Sequence, residues 1–428
     1  MNRPDESITP AAGAGPLAGL KVIEICSTIA GPACTRLLAD FGADVIKIEP
    51  PQGDGIRQMG KHVGDVSLYA ATILRGKQSI ALDLKSEEGL EIARALIRRA
   101  DILVENNRPG VMERLGLGYP ELSAENPGLV MVRISGYGQD GPYAARPGYG
   151  AICEAVGGVR YMTGDPDRPP ARVALATTDY LTSVYAAFGA VMAILERGRT
   201  GLGQVIDAAL YETSFTQMEP YVPAFEKLGF VPKRVGPNLP TMAPNSLYPT
   251  ADGQWILIAA NSNIIFRRLV DLMKQPELML DPRFSTIRAR GQAPNMKSLD
   301  EIIAAWTQRQ NSKELERQLI AQSIPASRIY TIADIYADPH FEARNMLVKV
   351  PHAQLGSTTQ AGIVPKLSRT PGSIRHSGPD IGADSEQILR SLGMDAERIE
   401  DLKARKIVTY APVKTPATEA TTTLKGAV

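Results

Sequence analysis

The sequence predicts an α/β protein, a Rossmann-like large domain on a mostly parallel sheet plus a smaller α+β domain. Three observations carry that prediction. Short β-branched runs alternate with amphipathic helices through the first half, the pattern of strands joined by helical crossovers. Near residue 220 the alternation stops, and a Pro- and Asn-rich stretch leads into a hairpin signal followed by helices. At 428 residues the chain is long enough for two domains, each burying its own core.

The elements follow in order. Residues 1–15 and 411–428 are rich in Ala, Thr, Gly and Pro without apolar periodicity, which predicts flexible tails. The large domain is expected over 16–224. It opens with strand "KVIEIC" (21–26) and helix "GPACTRLLADFG" (31–42), whose Leu37, Leu38 and Phe41 share a side. Strands "DVIKIE" (44–49), "SIALDL" (79–84), "DILVEN" (101–106) and "LVMVRISG" (129–136) continue the series. Helix 86–100 separates two of them, and Ser86, Glu87 and Glu88 suit its positive end. The smaller domain is expected over 225–330. It has a turn at Asp252-Gly253 and helices at 264–274, 298–309 and 312–322. Residues 331–410 are expected to return to the large domain.

Composition removes several functions. Lys and Arg total 47 against 46 Asp and Glu, so bulk charge points to neither nucleic acid nor membrane. No uninterrupted apolar run in the sequence approaches the ~18 residues of a membrane span. Cys26, Cys34 and Cys153 are too few and scattered for a disulfide framework, which suits a reducing cytoplasm. "GAGPLAG" (13–19) resembles a dinucleotide fingerprint but precedes the first strand. The true strand-to-helix turn, "CSTIAGPACT", holds one glycine. GxxxxGK[ST], GxSxG and HExxH are missing, and His62, His340, His352 and His376 are dispersed.

Carboxylate chemistry remains. "ATTDYLTSVYAAFGAVMAIL" (176–195) reads as an apolar helix with Asp179 at its mouth. An Asp in a first turn most often complements the helix dipole, for about 0.3–1 kcal/mol. Thr177 and Thr178 offer capping hydroxyls, which would leave Asp179 free of that role. Leu181, Val184, Tyr185, Phe188, Val191 and Leu195 recur at helical spacing and read as a core face. A carboxylate at the edge of such a face is poorly solvated, and the helix end keeps it ionised, which favours a nucleophile.

The chain resembles the class III CoA-transferases, the formyl-CoA transferase and carnitine CoA-transferase type. The motifs are "PLAGLKVIEICSTIAGPACTRLLADFGADVIKIEPPQGDGIR", "LRGKQSIALDLKSEEG", "VENNRPGVMERLGLGY", "RISGYGQDGP" and "RTGLGQVIDAALYE", and the resemblance spans about residues 16–408. It implies a Rossmann-like large domain made from both chain ends, a small domain, and two chains interlocked as a homodimer. It puts the nucleophile on Asp179, acylated by a thioester through an anhydride and then an aspartyl-CoA thioester. The expected substrates are an acyl-CoA, with succinyl-CoA as donor, and a carboxylic acid, with a dicarboxylic acid as acceptor. Coenzyme A enters as part of the substrate, and no permanently bound cofactor or metal is called for.

By the same resemblance, CoA contacts fall on Ile29 and Ala30, on Leu82 to Lys85, on Asn106, Asn107 and Arg108, on Arg114 and on Tyr149. Arg57 is a further phosphate candidate, and the Ala30 N–H is expected to face the oxyanion. The chain also departs from the family pattern. Some members carry a cation where Pro50 and Pro147 stand, with Arg146 a replacement candidate. Gly150 occupies the place of an acidic residue in formyl-CoA transferases. "VGPNLPTMAPNSLY" stands for their glycine run, which argues against formate and oxalate. Two rival readings stay open. An α-methylacyl-CoA racemase would need a second acid/base, and its histidine position holds Tyr149. A non-catalytic CoA-binding homologue would have kept the fold alone.

Overall fold

The computed structural model describes residues 15–410, and the expected tails, 1–15 except for Gly15 and 411–428, lie outside them. The chain divides into two units. The first takes residues up to Gly158, Ala174–Glu219 and from Glu342 onward; the second takes Val159–Val173 and Pro220–Phe341. These limits differ from 225 and 330. Residues 159–173 join the second unit because Arg234 donates to the carbonyls of Tyr161, Asp165 and Arg168, and the Gly236 N–H to that of Gly164.

The first unit is built in chain order from β1 (Lys21–Ile25), α1 (Ala30–Asp40), β2 (Asp44–Glu49), α2 (Leu68–Ile73), β3 (Lys77–Leu82), α3 (Glu87–Arg98), β4 (Ile102–Glu105), β5 (Val130–Ser135), α4 (Gly150–Val156), α5 (Thr177–Thr200) and β6 (Val205–Ala209). The strands align in the order 3-2-1-4-5-6, all parallel, and a short antiparallel strand Val408–Thr409 closes the edge beside β3. This is the dinucleotide-fold order, in which the chain reverses direction between β1 and β4. One face of the sheet is covered by α3 and the helices carrying Leu389 and Leu402, the other by α1 and α5. With both faces covered, every residue of β4 and β5 and all of β1 after Lys21 is buried. Ser86 caps α3 as expected, its Oγ accepting the Gly89 N–H at 3.1 Å.

Helix α5 departs from the expectation in two ways. Its N-cap is Ala176 without a side-chain cap, and Thr177 and Thr178 lie inside the helix, so the capping hydroxyls are not supplied. Its buried face is Thr178, Thr182, Ser183, Ala186, Ala187, Ala190 and Ala193. Small side chains there let the helix lie close to α1 and the sheet. Of the expected core face, Val184, Tyr185, Phe188 and Leu195 point outward, with Phe188 59% and Leu195 68% exposed. This 24-residue helix is also long and apolar enough for a membrane span by length and composition, although 39% of its apolar window is buried in the protein.

The second unit holds a three-stranded antiparallel sheet of β7 (Asn245–Pro249), β8 (Trp255–Ala259) and β9 (Ala326–Arg328), with β8 in the middle. The hairpin turns at Asp252-Gly253, where Gly253 has φ +71°. Helices Asn263–Leu272, Ala293–Thr307 and Ser312–Ala321 close its core around Phe266, Phe284, Leu299 and Leu315.

Candidate active site

The reversal between β1 and β4 opens a crevice at the carboxyl ends of both strands, the place where such sheets bind ligands. A cleft of about 150 Å³ lies there, lined among others by Ser27, Ala30, Asn106, Arg108, Tyr149 and Asp179. An adjoining groove of about 570 Å³ shares Ser27 and Asn107 with it and runs past Pro50, Leu82, Asp83 and Lys85. Residues scattered over 150 positions of sequence thus meet at one edge.

Asp179 sits in the first turn of α5 and is only partly buried. Its carboxylate lies directly against the backbone of Gly150, the first residue of α4; a Cβ added there would stand 2.0 Å from Oδ2. Gly150 therefore provides the seat of the carboxylate. Ser183 fixes the helix carrying Asp179 to the start of α1, its Oγ donating toward the carbonyls of Ala30 and Asp179, both at 2.7 Å. Tyr180 turns toward α2 and donates to the Tyr69 hydroxyl at 3.0 Å. Burial pushes the Tyr69 phenol well up, and the Tyr180 bond and the Asp179 charge push the same way. Burial also raises the Cys153 thiol to about 11, with the Asp179 charge adding to it, so Cys153 is a neutral neighbour.

Facing Asp179 is the turn from β1 into α1. Asn106 holds it by the Ser27 backbone, accepting the Ser27 N–H and donating to the Ser27 carbonyl, both at 2.8 Å. Ala30 opens the helix, so its N–H has no carbonyl partner within the helix. Gly31 packs so tightly on Cys26 that a Cβ would come 2.3 Å from its Sγ. The cleft is closed behind by Gly136 and Gly148, where a Cβ on Gly136 would lie 2.9 Å from the Cα of Gly148.

The other expected contacts divide. Arg108 is exposed on the cleft and Lys85 on the groove, and neither has an ion-pair partner among the described residues. Tyr149 is 71% exposed at the mouth, and Arg146 reaches the same cleft with its guanidinium 3.4 Å from the Tyr143 ring centre. Asn107 is a structural partner: its N–H is accepted by Glu105 at 2.7 Å and its amide reaches the Ile25 carbonyl at 3.4 Å. Leu82 is fully buried and Ile29 packs into the cluster of Ala33, Ile56 and Leu74, so each has only backbone to offer. Arg114 is exposed on the short helix Val111–Arg114 and lines neither space.

Arg57 lines neither the cleft nor the groove. Its guanidinium is committed to the buried carboxylate of Glu49, at 2.8 and 2.6 Å, and to the Pro379 carbonyl at 2.9 Å. Burial alone would raise Glu49, but the Arg57 bonds hold it below the ordinary carboxylate range. The sequence showed a cation after "GDGI" but not the glutamate that neutralises it. It also missed Ser183, Gly136 and Gly148. The only available signal for Gly150 was the departure already noted, whose steric meaning needs the Asp179 contact.

A sequence profile of CoA-transferase family III matches residues 17–385. A succinyl-CoA–D-citramalate CoA-transferase of Chloroflexus aurantiacus is 43% identical over 396 residues, covering 92% of this chain and 98% of the relative. The beta subunit of a succinyl-CoA–L-malate CoA-transferase from the same organism is 39% identical, with the same coverage of 92% and 98%. Among solved structures, a CAIB/BAIF family protein from Brucella suis superposes with a TM-score of 0.79. It is 34% identical and covers 89% of this chain and 100% of its own.

Proposed function

Since the chain belongs to CoA-transferase family III and is a CoA-transferase, we propose that Asp179 is the group acylated in moving CoA from succinyl-CoA to a dicarboxylic acid. The observation that carries this reading is the meeting of Asp179, Ala30 and Arg108 in one cleft at the strand reversal. An Asp179 oxygen attacks the thioester carbonyl, the C–S bond breaks, and CoA leaves as its thiolate. The thiolate then attacks the aspartyl carbonyl of the mixed anhydride, which releases succinate and leaves an aspartyl-CoA thioester. The acceptor carboxylate attacks that thioester and expels the thiolate again. The thiolate takes the acceptor acyl group from the second anhydride and returns Asp179 to a carboxylate. Every bond broken is replaced by one formed, no water is consumed, and the sequence calls for no resident cofactor or metal.

The residues have distinct tasks. The Ala30 N–H faces the oxygen that becomes negative at each tetrahedral stage, in a turn that is already ordered. Lys85 and Arg108 offer charge to the phosphates of CoA along the groove and cleft. Succinyl-CoA as donor follows the two Chloroflexus relatives, and D-citramalate and L-malate are the first acceptors to test. The outward face of α5 proposes a homodimer, since Val184, Tyr185, Phe188, Met192 and Leu195 are large, apolar and exposed side by side. Three free buried cysteines suit a cytoplasmic location.

The test is incubation with succinyl-CoA and a panel of organic acids, read by chromatography of CoA esters. Hydroxylamine trapping during turnover, followed by peptide mass analysis, reports on Asp179. Acceptor-dependent CoA transfer with modification at Asp179 is expected. Deuterium uptake at the α-carbon of a 2-methylacyl-CoA without any acceptor, and no transfer, would move the assignment to a racemase.

A further inference from the structure

The turn facing Asp179 is held in a conformation that its own residues disfavour. Thr28 has φ +63°, a left-handed backbone that strains a β-branched residue and persists only where its surroundings enforce it. The enforcing contact is a single carboxylate. Asp54 Oδ1 accepts the Thr28 N–H and the Ile56 N–H, each at 2.9 Å. Its Oδ2 stands 2.7 Å from Lys47 Nζ. The remaining two donors of Lys47 go to Glu24 Oε1 and to the Cys26 carbonyl, each at 2.8 Å. Glu24 is braced in turn by Lys77 at 2.7 Å and the Thr35 hydroxyl at 2.6 Å. Asp54, Lys47 and Glu24 are all buried, so a chain of paired charges runs from the middle of the sheet to one strained peptide.

Stability does not account for this arrangement, because well-packed apolar residues serve a core as well as buried ion pairs do. Its position does: it grips the residue between the Ser27 that Asn106 holds and the Ile29–Ala30 pair that opens α1. We propose that Asp54, braced by Lys47 and Glu24, is a positioning residue that fixes the Ser27–Ala30 turn so that the Ala30 N–H and the Asp179 carboxylate address the same thioester. This rests on the reading of Asp179 as the acylated group. The Lys47 ammonium 2.7 Å from Oδ2 makes the Asp54–Thr28 bond part of an ion-paired network, and the turn needs no reorganisation as the oxyanion forms.

The test is Asp54→Asn in the full chain, a change that keeps shape and one acceptor but removes the charge. kcat is expected to fall about 10- to 100-fold while KM for succinyl-CoA stays within about 3-fold, the pattern of an interaction made in the transition state. Circular dichroism and the thermal midpoint report the folded fraction. The comparison is repeated in a Thr28→Gly background, where the left-handed backbone at residue 28 is unstrained. There too, removal of Asp54 lowers kcat. Equal kcat with and without Asp54 in that background, or a loss that merely follows the folded fraction, overturns the proposal. Trapping separates the two readings. No label on Asp179 in the wild type refutes the nucleophile, whereas a labelled Asp179 with unchanged Asp54→Asn kcat refutes only the positioning role.

Discussion

Gly150→Ala isolates the placement of Asp179 from the stability of the fold. Gly150 does not have a positive φ and begins α4, so alanine suits its backbone and its helical position. The added methyl would stand 2.0 Å from Asp179 Oδ2 and 2.7 Å from its Cγ, where ordinary contact begins at 3.4 Å. The carboxylate must therefore retreat by about 1.4 Å, the difference between 3.4 and 2.0 Å. A misplacement of about 1 Å costs on the order of 100-fold, or about 2.7 kcal/mol on the barrier. The displaced atoms are the end of a side chain that can rotate, so the thermal midpoint is expected to change little. Steady-state kinetics with succinyl-CoA should give kcat reduced about 100-fold and slower hydroxylamine labelling of Asp179. A variant that retains kcat within about 3-fold at an unchanged midpoint would refute the reasoning, since a nucleophile cannot tolerate that displacement.

Arg57→Ala takes the ion-pair partner from the buried Glu49 carboxylate and is expected to cost about 3–5 kcal/mol in urea unfolding, with KM for acyl-CoA within about 2-fold. A large rise in KM without loss of stability would return Arg57 to phosphate binding. Burial alone would raise Glu24, but Lys47 and Lys77 bring its pKa down from 4.5 to about 2. The stability it contributes is complete above pH 4.5 and is lost as pH falls toward 2, up to about 3 kcal/mol. Unfolding free energies over that window should fall less steeply in Glu24→Gln, and an identical slope would contradict the assignment. Phe188→Asp places a charge on the outward face of α5, and light scattering after gel filtration should show a monomer for the variant and a dimer for the wild type. Co-elution of variant and wild type as the same species would dismiss that face as the interface.

The large domain was legible because its signals are local. The β-branched runs of β1, β2, β4 and β5 are buried on both faces, and Ser86 with Glu87 and Glu88 marks a helix start that the structure reproduces. What escaped is what depends on contacts distant in sequence. The burial of β3, its pairing with Val408 and the neutralisation of Arg57 by Glu49 each join segments that no periodicity links. The α5 misreading has a further cause. Hydrophobicity assigns the large apolar stripe to the core, whereas close approach to α1 and the sheet selects the alanine stripe. At the site, Asp179 and Ala30 came through the family motifs, but Gly150, Ser183 and Asp54 act through geometry alone.

The two faces of α5 then explain one another. The Ala186, Ala190 and Ala193 stripe sets the helix close against α1, and Ser183 binds the Ala30 carbonyl across that contact. In the proposed mechanism, this closeness is what would let the Asp179 carboxylate on one helix and the Ala30 N–H on the other serve a single carbonyl carbon. A helix that buried its large side chains here would stand further from α1 and separate the two groups. Val184, Tyr185, Phe188 and Leu195 are thereby left on the outside. An exposed stripe of that kind needs a cover, and a second copy of the chain is the simplest. The interface and the catalytic geometry are in that view two consequences of one choice, small residues inward on α5. Ala190→Leu would test the link directly. It should lower kcat by separating Asp179 from Ala30 while leaving the outward stripe, and with it the dimer, in place. Loss of the dimer with kcat retained would show that the inner stripe does not set the distance.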